Sequence, residues 1–267
     1  MRFLSLLFLC MACGGNDLPS VEKLESFRIL GAIASSPEVA PGGSANIRLV
    51  VSDVSGSAPT INGSYVTCID PGISRGAEVS CSDPLDSGSF NLDFTTLLPD
   101  SVLRTGINAT ALTVNVPASI LNGRSSREQN NGVAVIVIFS FIVDGKTYTA
   151  FKRIIATNRT TRNTNPVITD MLSNGSSLSS NPSDGSELSL STSTPPEDYE
   201  LINVDDSVEI KTEEYEVAWY SNVSEFSKPK ASFDESTEAK VQSVGAAVYL
   251  ALLRDERGGV AVVKKSF

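Results

Sequence analysis

The chain has 267 residues, 41% of them hydrophobic and 7% aromatic, with a formal net charge of −10 and no histidine. That much apolar material can enclose cores, and the length suits two domains of ordinary size, with a single large β domain as the alternative. The negative charge argues against nucleic acid as a partner, because its backbone would be repelled. The missing histidine excludes Ser-His-Asp hydrolysis, Cys-His catalysis and every zinc site that needs an imidazole.

The amino terminus reads MRFLSLLFLCMACGGND. One Arg, the apolar stretch Phe3–Leu9 and the small residue Ala12 are the parts of a secretory signal. A Cys directly after that small residue resembles the lipobox of bacterial lipoproteins, where it becomes lipid-modified and is the first mature residue. Cys10 stands where that family carries an aliphatic residue. Residues 1–12 are accordingly expected to be a lipoprotein signal peptide and residues 13–25 a polar tether, with Cys13 carrying lipid. Cys10 then leaves with the signal, and only Cys68 and Cys81 remain of the four cysteines. They fit a disulfide in an oxidising compartment, and closing so short a loop contributes about 3 kcal/mol in the chain-entropy model.

Beyond the tether, Ser26–Ala34 reads as a first strand, followed by a turn at Pro37, Pro41 and Gly42-Gly43. Ser44–Asp53 alternates, with Ala45, Ile47, Leu49 and Val51 on one face of a half-buried strand. Ser64–Ile69 is a third strand, ending at Asp70-Pro71-Gly72. Patterning is weak around Phe90–Phe94 and Leu97–Leu103. Ala109–Val116 is a strand stopped by Pro117, and Ser119–Gln129 is a polar excursion. Val133–Val143 is then almost unbroken apolar, too short to cross a bilayer as a helix, which takes about 20 residues. Asp144-Gly145 marks it as one arm of a tight hairpin, Gly132–Ile155.

Polar residues 157–165 are the expected linker. A second series of strands follows at Pro166–Leu172, Ser186–Ser191, Val208–Thr212, Glu213–Tyr220, Thr237–Val241, Val244–Asp255 and Val260–Phe267. Val133–Asp144 lies on Val244–Asp255 without a gap, and each run is followed by a basic pair, Lys152-Arg153 or Lys264-Lys265. The echo predicts that each is the closing hairpin of its own domain. The period of about 110 residues is that of one immunoglobulin-like sandwich and too long for a solenoid.

Tandem strand-rich units behind a lipobox resemble bacterial outer-membrane lipoproteins with immunoglobulin-like or PKD-like domains. The likeness is carried by Phe27-Arg-Ile-Leu with Pro37-Glu-Val-Ala-Pro-Gly42, by Glu216-Val-Ala-Trp-Tyr220 and by Leu252-Leu-Arg-Asp-Glu-Arg-Gly-Gly-Val260. It implies an all-β fold of two tandem immunoglobulin-like β-sandwich domains, residues 26–156 and 166–267, and lipid anchoring at the outer membrane. It implies no activity. Trp219, flanked by Tyr215 and Val217, is expected in the core of the second sandwich. No Trp stands near Cys68, so the first core is expected to form around Tyr65 and the disulfide.

Chemical motifs are few. A Ser-x-x-Lys spacing occurs as Ser20 to Lys23 in the tether, where a Ser has no pocket to work in, and neither a phosphate loop nor a dinucleotide fingerprint is present, so no cofactor is expected. Asp198, Asp205-Asp206, Glu213-Glu214 and Glu216 offer carboxylates for glycoside hydrolysis, although acidic residues in turns and on outward strand positions ordinarily form a solvated face. From Asn163 onward the chain has 18 acidic and 8 basic residues, whereas residues 1–162 carry 13 of each. Hard oxygen ligands suit Ca²⁺, which makes Asp198, Asp205 and Asp206 the metal candidates, yet no EF-hand loop frames them. The expected function is a non-enzymatic, lipid-anchored envelope protein with a structural or adhesion-like binding role toward a protein or glycan. The alternatives are an accessory lipoprotein of a secretion, motility or surface-fibre assembly and, more distantly, a carboxylate-dependent glycoside hydrolase.

Overall fold

A computed structural model describes residues 22–53, 60–72, 80–93 and 104–267. The signal segment, Cys13, most of the tether and Leu97–Leu103 lie outside the described residues. The first half forms β1 (Arg28–Ala34), β2 (Glu38–Val39), β3 (Ser44–Asp53), β4 (Thr60–Ile69), β5 (Asp86–Asp93), β6 (Arg104–Ile107) and β7 (Leu112–Asn115). Helix α1 (Ser126–Asn131) and strands β8 (Val133–Val143) and β9 (Lys146–Ala156) complete it. The second half forms β10 (Ile168–Ser173), β11 (Ser176–Ser177), β12 (Ser186–Thr192), β13 (Asp198–Ile202), β14 (Val208–Thr212), β15 (Tyr215–Ser221) and β16 (Ser224–Phe226). It ends with β17 (Lys230–Ser232), β18 (Thr237–Val241), β19 (Val248–Asp255) and β20 (Val260–Ser266). The described residues are all-β apart from one short helix.

Four sheets lie in layers. The outermost has the order β2-β9-β8-β4-β5, and the next places β3 between β1 and the β6 and β7 pieces. A third runs β17-β15-β19-β20 and the fourth β11-β10-β12-β18-β16, while β13 and β14 stand apart as a two-stranded hairpin. Three apolar layers fill the gaps. Val135, Val137, Phe139 and Phe141 of β8 meet Ile47, Leu49 and Val51 of β3 in the first. Trp219, Tyr249 and Leu253 meet Met171, Leu188 and Phe226 in the last. Between the two sheet pairs, Leu30, Val50 and Ile107 pack on Tyr220, Leu250, Leu252 and Val260.

This layering explains the two apolar runs that echo each other. Side chains alternate across a strand, so a continuous apolar run needs an apolar cover on both sides. In β19, Tyr249, Ala251 and Leu253 enter the last core, whereas Val248, Leu250 and Leu252 face the joint between the sheet pairs. In β8 the outer positions Ile136 and Ile138 are covered instead by Val66 and the Cys68–Cys81 pair. Both runs do form hairpins, with β9 and with β20. The first turns at Asp144-Gly145, with φ of 50° and 73°, as a two-residue turn of type I′ requires.

Several expectations need correction. The first core centres on Phe90, Phe139 and Phe141, not on Tyr65 and the disulfide. Tyr65 packs at the margin of that core, where its hydroxyl donates to Asp86 Oδ2 at 3.1 Å. The disulfide lies on the opposite face of the sheet because Cys68 has the other alternation phase. The end of the tether is docked: Leu24 is buried in the joint, its N–H donates to the Ser221 carbonyl at 2.9 Å, and Ser221 N–H donates to the Glu22 carbonyl at 3.1 Å. Residues 157–165 do not behave as a loose linker either. Thr157 and Asn163 are buried, and Asn165 bridges the two halves by donating to the Ala34 carbonyl and accepting from Val260 N–H.

Candidate functional site

The residues that gather charge in this protein lie at the joint between the sheet pairs. A strand that turns its apolar residues inward must bury whatever shares their phase. On β9 that residue is Lys152, in register with Ile154 and Ala156. At the end of β19 it is Asp255; on β2, Glu38 takes the phase opposite to the core residue Val39, and all three side chains are buried. Buried charges persist only when paired and hydrogen-bonded.

The pairing is built from both halves. Glu38 from the first half accepts from Arg257 of the β19–β20 turn in a two-pronged contact, Nε to Oε1 at 3.2 Å and Nη2 to Oε2 at 2.8 Å. It also accepts from Arg159 Nη1 at 3.3 Å and from the Asn163 N–H at 2.8 Å. The remaining arm of Arg257 reaches Glu213 Oε1 at 3.1 Å. Burial pushes the Glu213 carboxyl up, against the lowering effect of the Glu197 N–H and the Arg257 charge. One guanidinium therefore ties a carboxylate of each half, in the planar forked geometry that lysine lacks. Truncating one partner of such a buried set typically costs about 3–5 kcal/mol, because the other charges are left uncompensated.

Tyr199 on β13 lies under both guanidiniums, whose central carbons sit 5.4 Å (Arg159) and 4.8 Å (Arg257) from its ring centroid. Its hydroxyl donates to Glu256 Oε1 at 2.6 Å, and burial together with that carboxylate raises its pKa. Beside this set, Asp255 accepts from Asn163 Nδ2 at 3.1 Å and from the Gly259 N–H at 2.7 Å. Its pKa is raised, chiefly by burial. A Cβ on Gly259 would collide with the Asp255 carboxylate, so this turn position has room only for glycine. Lys152 Nζ donates to the Gly258 carbonyl, and burial pulls its ammonium down to about 8 despite the nearby Asp255 charge.

A cleft of about 680 Å³ opens beside the network, walled by Leu30, Phe151, Lys152, Tyr199, Arg254 and Asp255 among others. The carboxylates that line it are already held. Glu38 is saturated by two guanidiniums and a backbone N–H, Asp255 by Asn163 and Gly259, and Glu256 by Tyr199. The arrangement can fix two sheet pairs against each other. The Nε of Arg159 is the exception in this network, buried without an acceptor among the described residues.

The residues singled out from the sequence are not brought together here. Cys68 and Cys81 form a disulfide, with Cα atoms 5.8 Å apart. Trp219 is 1% exposed in the second core, where its indole N–H has no hydrogen-bond partner among the described residues. Asp198 lies at the open end of the β13–β14 hairpin, accepting from Thr212 Oγ1 at 2.6 Å, whereas Asp205 and Asp206 lie at its tip. Extended strand rises about 3.3 Å per residue, so the hairpin's length separates them. Asp205 is already bonded to the Ser207 N–H and hydroxyl, which lower its pKa. The three therefore do not form one calcium site, and among the described residues no group of three metal-ligating side chains occurs. Of the candidate carboxylates for hydrolysis, only Glu213 belongs to the network, and it is engaged by Arg257. Glu214 and Glu216 line a separate shallow groove with Lys230 and Arg254.

Glu38, Lys152, Arg159, Asn163, Tyr199 and Arg257 were not legible as one site. Lys152 alone carried a signal, a cation in the inward phase of an apolar strand. A second signal was the S-x-x-E of Ser125 to Glu128, which caps α1: the Glu128 N–H donates to Ser125 Oγ at 3.2 Å, and the Ser125 N–H donates to Glu128 Oε2 at 3.0 Å. Helix α1 ends at Asn131, whose amide donates to the Ile202 carbonyl at 2.7 Å and accepts from the Ile202 N–H at 2.9 Å. That side chain thus imitates a neighbouring strand for β13.

Fold and joint together define the class, an all-β protein of stacked sheets with a buried ionic joint. No family model matches the chain, and no curated protein matches it. Among solved structures it is similar to a red sea bream transglutaminase, with 6% identity, a TM-score of 0.28 and a match over 89% of this chain and 30% of that one. The chain thus spans less than a third of that enzyme's length, and the likeness carries no argument about activity.

Proposed function

We propose that the protein is a non-enzymatic component of a bacterial cell envelope, anchored by lipid on Cys13, with a structural or binding role. The observation that carries the non-enzymatic part is the state of the joint. The ionisable groups that converge there are buried and hold one another, which favours rigidity over proton transfer or nucleophilic attack. The anchoring part rests on the Ala12-Cys13 junction after a short apolar segment. A chain that docks Leu24 between the sheet pairs leaves the lipid on a short lead, so the sandwiches would stand close to the membrane surface. The acid-rich second half would keep its outer face off anionic headgroups and free for a protein or glycan partner.

Cys13→Ala tests the anchor directly. The variant is expected to lose the mass of the acyl chains and to leave the envelope fraction for the soluble one. Unchanged mass and unchanged envelope association would overturn the proposal.

A further inference from the structure

The β13–β14 hairpin has one edge covered and one open. Asn203 N–H donates to the Ser207 carbonyl at 2.9 Å, and Glu213 N–H donates to the Glu197 carbonyl at 3.0 Å. In an antiparallel pair, hydrogen-bonded and non-hydrogen-bonded positions alternate. The paired residues Leu201–Glu209 and Tyr199–Lys211 therefore exchange the hairpin's own bonds. Glu200 and Ile202 on β13, and Val208, Ile210 and Thr212 on β14, turn their backbone groups outward. On the β13 side the first half of the chain meets them: Arg159 Nη2 donates to the Glu200 carbonyl at 2.6 Å, and Asn131 takes both groups of Ile202. On the β14 side no strand pairs with the edge among the described residues. Its β-branched side chains are exposed, Val208 to 59% and Ile210 to 61%.

We infer that the open edge of β14 pairs with β14 of a second copy of this chain, antiparallel and centred on Ile210. The sequence Val208-Glu-Ile-Lys-Thr212 is complementary to itself in that register alone. Ile210 faces its own symmetry mate and Val208 faces Thr212, and these are the residues whose N–H and C=O groups point outward. Glu209 then lies opposite Lys211 at the non-hydrogen-bonded positions, where side chains come closest. Neither residue has an ion pair in the isolated chain among the described residues. The neighbouring registers that keep the same hydrogen-bonding phase slip by two residues. One sets Glu209 against Glu209 and the other Lys211 against Lys211, and like charges directly opposed are unfavourable. Exposed edge strands are ready templates for such pairing, and a lysine is a usual guard against it. Here the partner's glutamate neutralises that guard. The product is a four-stranded sheet across a two-fold axis, with the apolar stripe Val208–Ile210–Thr212 on one face. Its small area makes the association weak in solution, and confinement of both copies to one membrane would raise their effective concentration.

Sedimentation equilibrium of the full chain in density-matched non-ionic detergent tests this, using charge reversals and a proline. The wild type is expected to show a concentration-dependent dimer. Glu209→Lys should weaken it about tenfold or more, because the two-fold axis imposes the repulsion twice. The double reversal Glu209→Lys with Lys211→Glu should restore it. Ile210→Pro removes an N–H that the hairpin does not use, so it should leave the monomer folded by circular dichroism and abolish the dimer. A wild type that stays monomeric at about 1 mM overturns the inference. So does a dimer that either single substitution leaves intact or that the double reversal fails to restore, since either result places the contact elsewhere.

Discussion

Among single residues, Lys152 is where sequence and structure meet most directly. Its place in phase with Ile154 and Ala156 marks it as a cation facing inward, although the sequence does not reveal what receives it. The receivers, Gly258 and Asp255, lie more than a hundred positions away and arrive only when the β19–β20 turn closes over β9. The same limit applies to Glu38 and Arg257, which read as ordinary turn and strand-end charges until the halves are stacked. Asp198, Asp205 and Asp206 err in the opposite direction, being close in the chain yet held apart by an extended hairpin. Burial of Lys152 also fixes a dependence on pH. The folded chain releases this proton near pH 8, whereas the unfolded chain keeps it up to its ordinary value of 10.5. Between those limits the unfolded state binds more protons, so stability rises with pH across that window. Below pH 8 both states are protonated and the burial penalty, on the order of 3 kcal/mol, is constant. Urea denaturation of wild type and Lys152→Met at pH 7.5 and pH 10 should show the wild type gaining stability relative to the variant. A constant difference between the two would place the ammonium in solvent.

Individual elements were more legible. The Asp-Gly turn, the period-2 alternation of β3 and the apolar run of β19 each follow from local chemistry, and each forms its strand. Strand β13 was hidden because Glu200 interrupts its apolar residues and because an arginine and an asparagine support its edge in place of another strand. The disulfide also belongs at this scale. Cys68 and Cys81 cover Ile136 and Ile138 on the outer face of β8, where β19 has a sheet as its cover instead. Cys68→Ser with Cys81→Ser should lower stability by about 3 kcal/mol through the freed loop, with a lower urea midpoint and the all-β circular dichroism retained. A midpoint unchanged from wild type would show that Ile136 and Ile138 need no such cover.

At the scale of the whole molecule, the echo of two hairpins was legible and the joint was not. The sequence of β19 says that both of its faces are covered, yet a membrane, a partner or the other half of the chain would satisfy that pattern equally. The fold selects the last: Val248, Leu250 and Leu252 lie on Leu30 and Val50, flanked by the Glu38–Arg257–Glu213 network and sealed by Leu24. Large apolar interfaces suppress the relative motion that tandem sandwiches otherwise show. The β14 edge, on the hairpin that reaches across this joint, is then displayed in a fixed direction, as its proposed pairing requires. Differential scanning calorimetry of the intact chain tests that rigidity most directly. The joint predicts one cooperative transition, with equal calorimetric and van't Hoff enthalpies for the whole molecule. Two separate transitions, one for each sheet pair, would contradict it.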